Sequence, residues 1–167
     1  NIIANGLPAS PGAASGKVVF TSEEAERLTA IMQDTILVRV ETSPEDIQGM
    51  HAAKGILTAR GGMTSHAAVV ARGMGRPCVS GSSEIDINYE NKTFKTSSIE
   101  IKEGEIITID GSTGRIILGK VATVKPEISG DFSKLMSWAD SFRKLKIRTN
   151  SETPKDTKTA KDFGAEG

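Results

Sequence analysis

Apolar and polar positions follow two alternating patterns in the first half of the chain. Short aliphatic runs, such as residues 36–40 and 55–59, are typical of buried strands. Between these runs, apolar residues recur at helical spacing, and Thr21 followed by Glu24 has the spacing of a capping box. The alternation predicts an α/β unit. The predicted strands are 17–20, 36–40, 55–59 and 77–81, and the predicted helices are 22–33 and a short one that Ser43 caps with Pro44 at its first position.

Two other stretches of the chain do not show this alternation of strands and helices. Residues 6–16 are dense in glycine and proline, so we expect them to be irregular. After residue 81, short β-type runs are separated by turn residues, which is best explained by antiparallel hairpins. These runs are 92–95, 99–101, 105–109 and 115–118.

The periodicity changes again near residue 121, where the compact domain is expected to end. Asp131 is the expected N-cap of a helix over about residues 132–144, which has an apolar stripe from Phe132 to Leu145. A strand at 146–150 and a helix capped by Thr153 follow. One strand and one helix do not make a domain, so we expect the chain to be a piece cut just inside a further domain. The expected divisions are 1–120, 121–145 and 146–167.

Composition excludes several classes of partner. Basic and acidic residues balance at 21 each, which gives no electrostatic reason to expect nucleic acid or an anionic membrane. No apolar run approaches a membrane span, and the first residues lack the features of a secretion signal. The single cysteine, Cys78, fits a reducing compartment and a buried strand position. We therefore expect a cytoplasmic protein.

The candidate chemistry lies in residues 61–72, where two glycines precede Thr64, Ser65 and His66. The small and aliphatic residues that follow predict a loop entering a buried helix with His66 in its first turn. Unpaired N–H groups and the helix dipole favour an anion there and a neutral imidazole, which could attack phosphorus. A surface or capping histidine fits the same spacing.

The neighbouring polar residues leave further alternatives open. Thr64 or Ser65 could cap this helix, and either hydroxyl could fix the tautomer of His66. Arg72 lies too far along the helix to be assumed a phosphate ligand. His51 has no aspartate or cysteine partner at metal spacing, so we expect a surface or packing histidine and no metal site.

Residues 61–72 resemble the phosphohistidine signature of the phosphoenolpyruvate (PEP)-utilising enzymes. That signature has two small residues, a Thr or Asn two places before the histidine, and a small and aliphatic run ending in Arg or Gly; this chain satisfies every constrained position. Within that family the flanking segments are similar to those of the pyruvate, phosphate dikinases. The similar segments are 6–14, 41–47, 50–53, 73–81 and 147–150, so the resemblance covers essentially the whole chain.

The resemblance implies a swivelling β/β/α phosphohistidine domain, then a helical linker and the first strand and helix of a (β/α)8 barrel. It implies that His66 is the nucleophile, supported at the phosphate by Gly61, Gly62, Thr64 and Ser65. ATP would pyrophosphorylate His66, inorganic phosphate would take the terminal phosphoryl group, and pyruvate would take the other. The products would be PEP, AMP and pyrophosphate, in a reversible reaction that this piece cannot complete alone.

The resemblance also implies partners and cofactors outside this chain. These are an ATP-grasp domain and a PEP/pyruvate-binding barrel of the same polypeptide, Mg²⁺, a monovalent cation and a second copy in a homodimer. Thr64 would be the target of a regulatory kinase and phosphatase, although capping alone would also explain it. PEP synthase, phosphotransferase enzyme I and a docking module that has lost transfer are the alternative identities.

Overall fold

The computed structural model describes residues 1–123, 130–151, 153–162 and 164–166. The chain divides into two compact units, Asn1–Thr123 and Val124–Gly167. Each unit is described by itself below. Part of the expected linker, residues 124–129, and the last residue, Gly167, lie outside the described residues.

An eight-stranded sheet organises the first unit, with strand order β1-β11-β10-β3-β4-β5-β6-β2. β3, β4, β5 and β6 run parallel, and the outer strands pair antiparallel. The strands are β1 Ile2–Asn5, β2 Leu7–Ser10, β3 Ala13–Val19, β4 Thr35–Arg39, β5 Gly55–Thr58, β6 Cys78–Ser80, β10 Ile106–Asp110 and β11 Arg115–Leu118. The aliphatic runs therefore form strands where the sequence predicts them.

The glycine- and proline-rich start is ordered, so the prediction of an irregular segment at 6–16 is wrong. It forms β2 and half of β3. Only Gly6 separates β1 from β2, yet these strands lie at opposite ends of the strand order, so the sheet must curl until its edges meet. Pro8 is tolerated because β2 is a terminal strand with one ladder partner, β6.

Three helices cover one face of this sheet. They are α1 Ser22–Ala30, α2 Ile47–Ala52 and α3 His66–Met74, and a 3-10 turn, Pro44–Asp46, precedes α2. The Thr21 hydroxyl accepts a hydrogen bond from the Glu24 N–H at 3.2 Å, as the capping pattern predicts. α1 ends three residues earlier than expected, because Met32 adopts a left-handed conformation with φ of 59° and turns the chain toward β4.

A second, three-stranded sheet covers the other face. It comprises β7 Asp86–Asn88, β8 Thr93–Lys95 and β9 Glu100–Lys102 in antiparallel order. Phe94 and Ile101 from this sheet are fully buried in one core cluster with Val38 and Leu57, whereas Leu37 and Ile56 belong to the cluster under the helices. The predicted antiparallel hairpins and the implied β/β/α layers are therefore present, although β7 was not predicted.

The second unit contains α4 Gly130–Phe142 and α5 Pro154–Asp162. Asp131 lies within the first turn of α4, so its prediction as an N-cap is wrong. The apolar stripe of α4 has no buried residue. The Thr153 hydroxyl accepts from the Asp156 N–H at 3.1 Å and caps α5 as predicted.

The strand predicted at 146–150 is absent from the described part of this unit, so of the expected strand and helix only the helix, α5, is found. A barrel strand is stabilised by ladders to its two neighbours, and neither neighbour is supplied here.

Cys78 provides a test of the packing. Its side chain is fully buried, and desolvation raises the pKa of the thiol to about 12, with Arg72 opposing the shift. The thiolate is the reactive form. We expect iodoacetamide at pH 8 to leave Cys78 unmodified in the folded chain and to alkylate it fully in urea, as measured by intact mass. Equal labelling rates in both conditions would contradict the buried placement.

Candidate functional site

The site is built at the carboxyl ends of the parallel strands β4 and β5. Thr58, the last residue of β5, is fully buried, and its hydroxyl donates to the Arg60 carbonyl at 2.8 Å. Further along the loop, the Ser65 N–H donates to the Gly62 carbonyl at 3.0 Å. These local bonds shape the loop that carries the two glycines and lead it into α3.

α3 begins at His66, as predicted, and Ser65 is its N-cap. The Ser65 hydroxyl accepts from the Ala68 N–H at 3.4 Å, and the Ser65 carbonyl accepts from the Val69 N–H at 3.0 Å. Of the two hydroxyl residues considered for the cap, the structure therefore selects Ser65, and it leaves Thr64 exposed in the loop. The helix ends at Met74, and the C-cap residue Gly75 has a φ of 63°, the left-handed conformation common after helices.

The ring of His66 contacts a residue that sequence reasoning missed. Nδ1 lies 2.9 Å from Oγ1 of Thr42, which follows β4. Two tautomers satisfy this contact: either the hydroxyl donates to Nδ1, or Nδ1–H donates to the hydroxyl. The second arrangement leaves the lone pair of Nε2 available. No hydrogen bond to Nε2 occurs among the residues that the structure describes.

The hydroxyl that contacts the ring of His66 therefore belongs to Thr42, and not to Thr64 or Ser65 as expected. Ser65 uses its hydroxyl on the helix backbone, and Thr42 reaches the ring from the neighbouring strand. One signal could have identified Thr42: it is a hydroxyl residue two positions past the predicted strand 36–40, and the next strand along the chain leads to the histidine. Parallel neighbours place both strand ends at one edge of the sheet.

α3 is buried on one face only, so the expectation of burial all round is wrong. Ala67, Ala68 and Ala71 are buried against the sheet. Val69 is 55% exposed, and Met63 in the preceding loop is 43% exposed. The helix packs on the sheet at β2, β5 and β6 and against α2, and these neighbours leave its other side exposed.

Arg72 stabilises the loop through hydrogen bonds to backbone carbonyl groups. Its Nε donates to the Ala68 carbonyl at 3.0 Å, and its guanidinium also donates to the Met63 carbonyl. These bonds tie the body of α3 to the residues just before the N-cap.

Two other expectations concern metals and membranes. In the described ranges, no group of three or more His, Cys, Asp and Glu side chains could hold a metal ion. His51 is exposed, as predicted for a surface residue, and its carbonyl accepts from Arg76. None of the described helices is long and apolar enough to cross a membrane.

Comparison with known proteins supplies independent findings. A family model described as "PEP-utilising enzyme, mobile domain" matches residues 31–114. Over the whole chain, the sequence is 58% identical to the pyruvate, phosphate dikinase of Rhizobium meliloti (strain 1021), of which it covers 19%. It is 59% identical over 99% of its length to the enzyme of that name from Clostridium symbiosum, again covering 19% of the relative.

A third relative, pyruvate, phosphate dikinase 1, chloroplastic, from Oryza sativa subsp. japonica, is 57% identical over 99% of this chain. The chain covers 18% of that protein. It therefore spans about a fifth of the length of these relatives.

The two glycines of the loop allow a matched test. Gly61 has φ of 107°, and a Cβ there would lie 2.9 Å from Ser65 Cβ, whereas a Cβ on Gly62 would meet nothing within 4 Å. We expect Gly61→Ala to lower the free energy of unfolding by about 1–3 kcal/mol. Gly62→Ala should change it by less than about 1 kcal/mol. Urea unfolding of both variants measures the difference, and equal losses would argue against the loop geometry.

Proposed function

The chain belongs to the family of PEP-utilising enzyme mobile domains, and from this premise we propose that it is the phosphoryl-carrying domain of a pyruvate, phosphate dikinase. The family resemblance inferred from residues 61–72 is thereby confirmed. The single observation that carries the proposed mechanism is the placement of His66. Its Nδ1 contacts Thr42 at the start of a capped helix, and the opposite ring nitrogen is left for chemistry.

In the proposed step, the lone pair of Nε2 attacks the phosphorus atom of the donor. The N–P bond forms, the P–O bond to the leaving group breaks, and its electron pair leaves with the departing oxygen. The step uses the arrangement in which Nδ1–H donates to Thr42 Oγ1, because only that tautomer leaves a lone pair on Nε2. The positive end of α3 and the remaining N–H groups of its first turn favour the phosphate that His66 would carry.

The proposed overall reaction uses this nitrogen twice. ATP pyrophosphorylates His66 at one site, and inorganic phosphate removes the terminal phosphoryl group as pyrophosphate. The phosphoryl group that remains is transferred to pyruvate at a second site, which gives PEP. Each step is reversible because the phosphoramidate conserves the free energy of the donor bond.

Three related identities were open from the sequence: PEP synthase, phosphotransferase enzyme I and a docking module without transfer. The dikinase is favoured because the relatives of 57–59% identity over essentially the whole chain all bear that name. The docking module is disfavoured by the intact signature at residues 61–72, in which every constrained position is satisfied.

The remaining parts of the proposal concern groups outside this chain. No described cluster of side chains fits Mg²⁺, so we assign Mg²⁺ and the monovalent cation to other domains of the full-length protein. Those domains would be an ATP-grasp domain and a PEP/pyruvate-binding barrel, joined to this unit through a linker over 121–145, with residues 146–167 beginning the barrel. We further propose a homodimer and a cytoplasmic location, while relatives such as the Oryza protein are named chloroplastic.

Thr64 fits the proposed regulatory role better than the capping role. It is exposed, and Ser65 already caps α3. A phosphate on Thr64 would add about −2 charges two residues from His66, which would repel an incoming phosphate group. We propose that a regulatory kinase and phosphatase act on this hydroxyl.

The nucleophile is tested in the full-length protein with ³²P-labelled PEP. We expect an acid-labile, base-stable label that is lost in His66→Asn, while His51→Asn keeps it. Persistence of the label in His66→Asn would refute the assignment. Production of labelled pyrophosphate only when inorganic phosphate is present, measured with γ-labelled ATP, would separate a dikinase from PEP synthase.

The charge at position 64 is tested with two variants of similar shape. Thr64→Glu should slow loading of His66 by at least about tenfold because its carboxylate repels the donor phosphate, whereas Thr64→Gln should load near the normal rate. Circular dichroism melting of both variants checks the fold. Equal loading by the two would mean that charge at this position does not control the site.

A further inference from the structure

The turn between β4 and α2 is held at both ends by groups that lie away from the phosphoryl chemistry. We propose that Tyr89 and Asp46 are positioning residues, which fix residues 40–43 so that Thr42 Oγ1 stays against Nδ1 of His66. The inference rests on the proposed function of His66. It extends that function to the residues that keep its tautomer.

The first anchor is the hydroxyl of Tyr89, which accepts a hydrogen bond from the Val40 N–H at 2.8 Å. Two neighbours fix the ring itself. Phe20 meets it edge to face, with centroids 6.4 Å apart and planes at 90°, and the Arg39 guanidinium carbon lies 5.3 Å from its centroid. A ring held from two sides gives its hydroxyl a defined position.

The second anchor is the carboxylate of Asp46, which is only 4% exposed. Oδ2 accepts from the Ser43 N–H at 2.9 Å, and Oδ1 accepts from the Ser22 hydroxyl at 3.0 Å. Arg39 Nε lies 3.3 Å from Oδ1 and completes an ion pair. The carboxylate therefore ties the end of the turn to α1 and to β4.

Arg39 connects the two anchors. Its guanidinium faces the ring of Tyr89, pairs with Asp46 and donates to the Phe20 carbonyl at 3.0 Å. Thr42 is thus bracketed, with Val40 fixed two residues before it and Ser43 fixed immediately after it.

Fixing Val40 and Ser43 matters because the hydrogen bond between Thr42 and His66 depends on alignment. A hydrogen bond weakens steeply as its angle departs from linearity, and catalytic groups need placement within about 0.5 Å. If one end of the turn were released, Thr42 Oγ1 would sample positions that accept less well from Nδ1–H. The other tautomer would then become populated. In that tautomer Nε2 carries the proton and has no lone pair with which to attack phosphorus.

Tyr89→Phe tests the first anchor, since it removes one oxygen and keeps the ring against Arg39 and Phe20. The 167-residue chain has only two histidines, so ¹H–¹⁵N spectra of the ring nitrogens can be assigned with His51→Gln. We expect wild-type His66 to show one tautomer with its proton on Nδ1. Tyr89→Phe should show exchange-averaged shifts of both nitrogens. An unchanged spectrum in a folded variant would overturn the proposal.

Lys92→Gln is the matched control, because it lies in the same β7–β8 turn and loses only the ion pair with Glu103. It should leave the His66 spectrum as in wild type, and a shift as large as that of Tyr89→Phe would count against a specific anchor. Asp46→Asn tests the second anchor in the same spectra and should also mix the tautomers. If either position fails to fold, the other still decides the question.

A double-mutant cycle in the full-length protein tests the route through Thr42. We expect Tyr89→Phe to slow loading of His66 about three- to tenfold, the effect of one lost hydrogen bond. In a Thr42→Val background it should cause no further slowing. Equal slowing in both backgrounds would overturn the proposal. If the wild-type protein took no label, the proposed function would fail, while the ring spectra would still decide whether Tyr89 and Asp46 position Thr42.

Discussion

Parallel pairing of β4 with β5 is the constraint on which the site depends. Arg39 is opposite Thr58 at the strand ends, and the ladder continues through the Arg60 N–H, which donates to the Val40 carbonyl at 2.9 Å. Beyond these residues the two segments separate, and one leads to Thr42 while the other leads to His66. A shift of one residue in this register would turn the buried side chains of either strand to the wrong face of the sheet, so packing fixes the site as firmly as the local bonds do.

The transfer that we propose also needs a partner surface beside His66. Met63, Thr64 and Val69 are exposed around His66, so bulk water reaches the residues on either side of the ring. Transfer to a substrate other than water requires a closed environment at the moment of reaction. For a carrier, that closure comes from the surface that receives it. The exposed apolar side chains beside His66 are then a property of the function rather than a defect of the packing.

Local patterns in the sequence were sufficient for the elements that depend on local chemistry. The start of α3, the caps at Thr21 and Thr153, and the buried parallel strands all follow from residues within a few positions of each other. Two of the failures have a different origin. β2 forms at residues 7–10 because β6 supplies its ladder, and Thr42 reaches His66 because two parallel strands end together; both depend on contacts distant in sequence. The prediction at 146–150 failed for the opposite reason. The sequence there suits a strand, but no strand lies beside it in the described residues.

The burial of Asp46 is hard to explain by stability alone. Taking a carboxylate out of water is costly, and one arginine with two hydrogen bonds offsets that cost without a large surplus. An apolar residue of similar size would pack in the same place, often with little loss of stability. It could not, however, accept the Ser43 N–H, which leaves a backbone donor unpaired and the turn free at one end. The bond from the Ser43 N–H is part of a capping box at the start of the 3-10 turn. In our proposal the same bond also holds the backbone that presents Thr42 to His66.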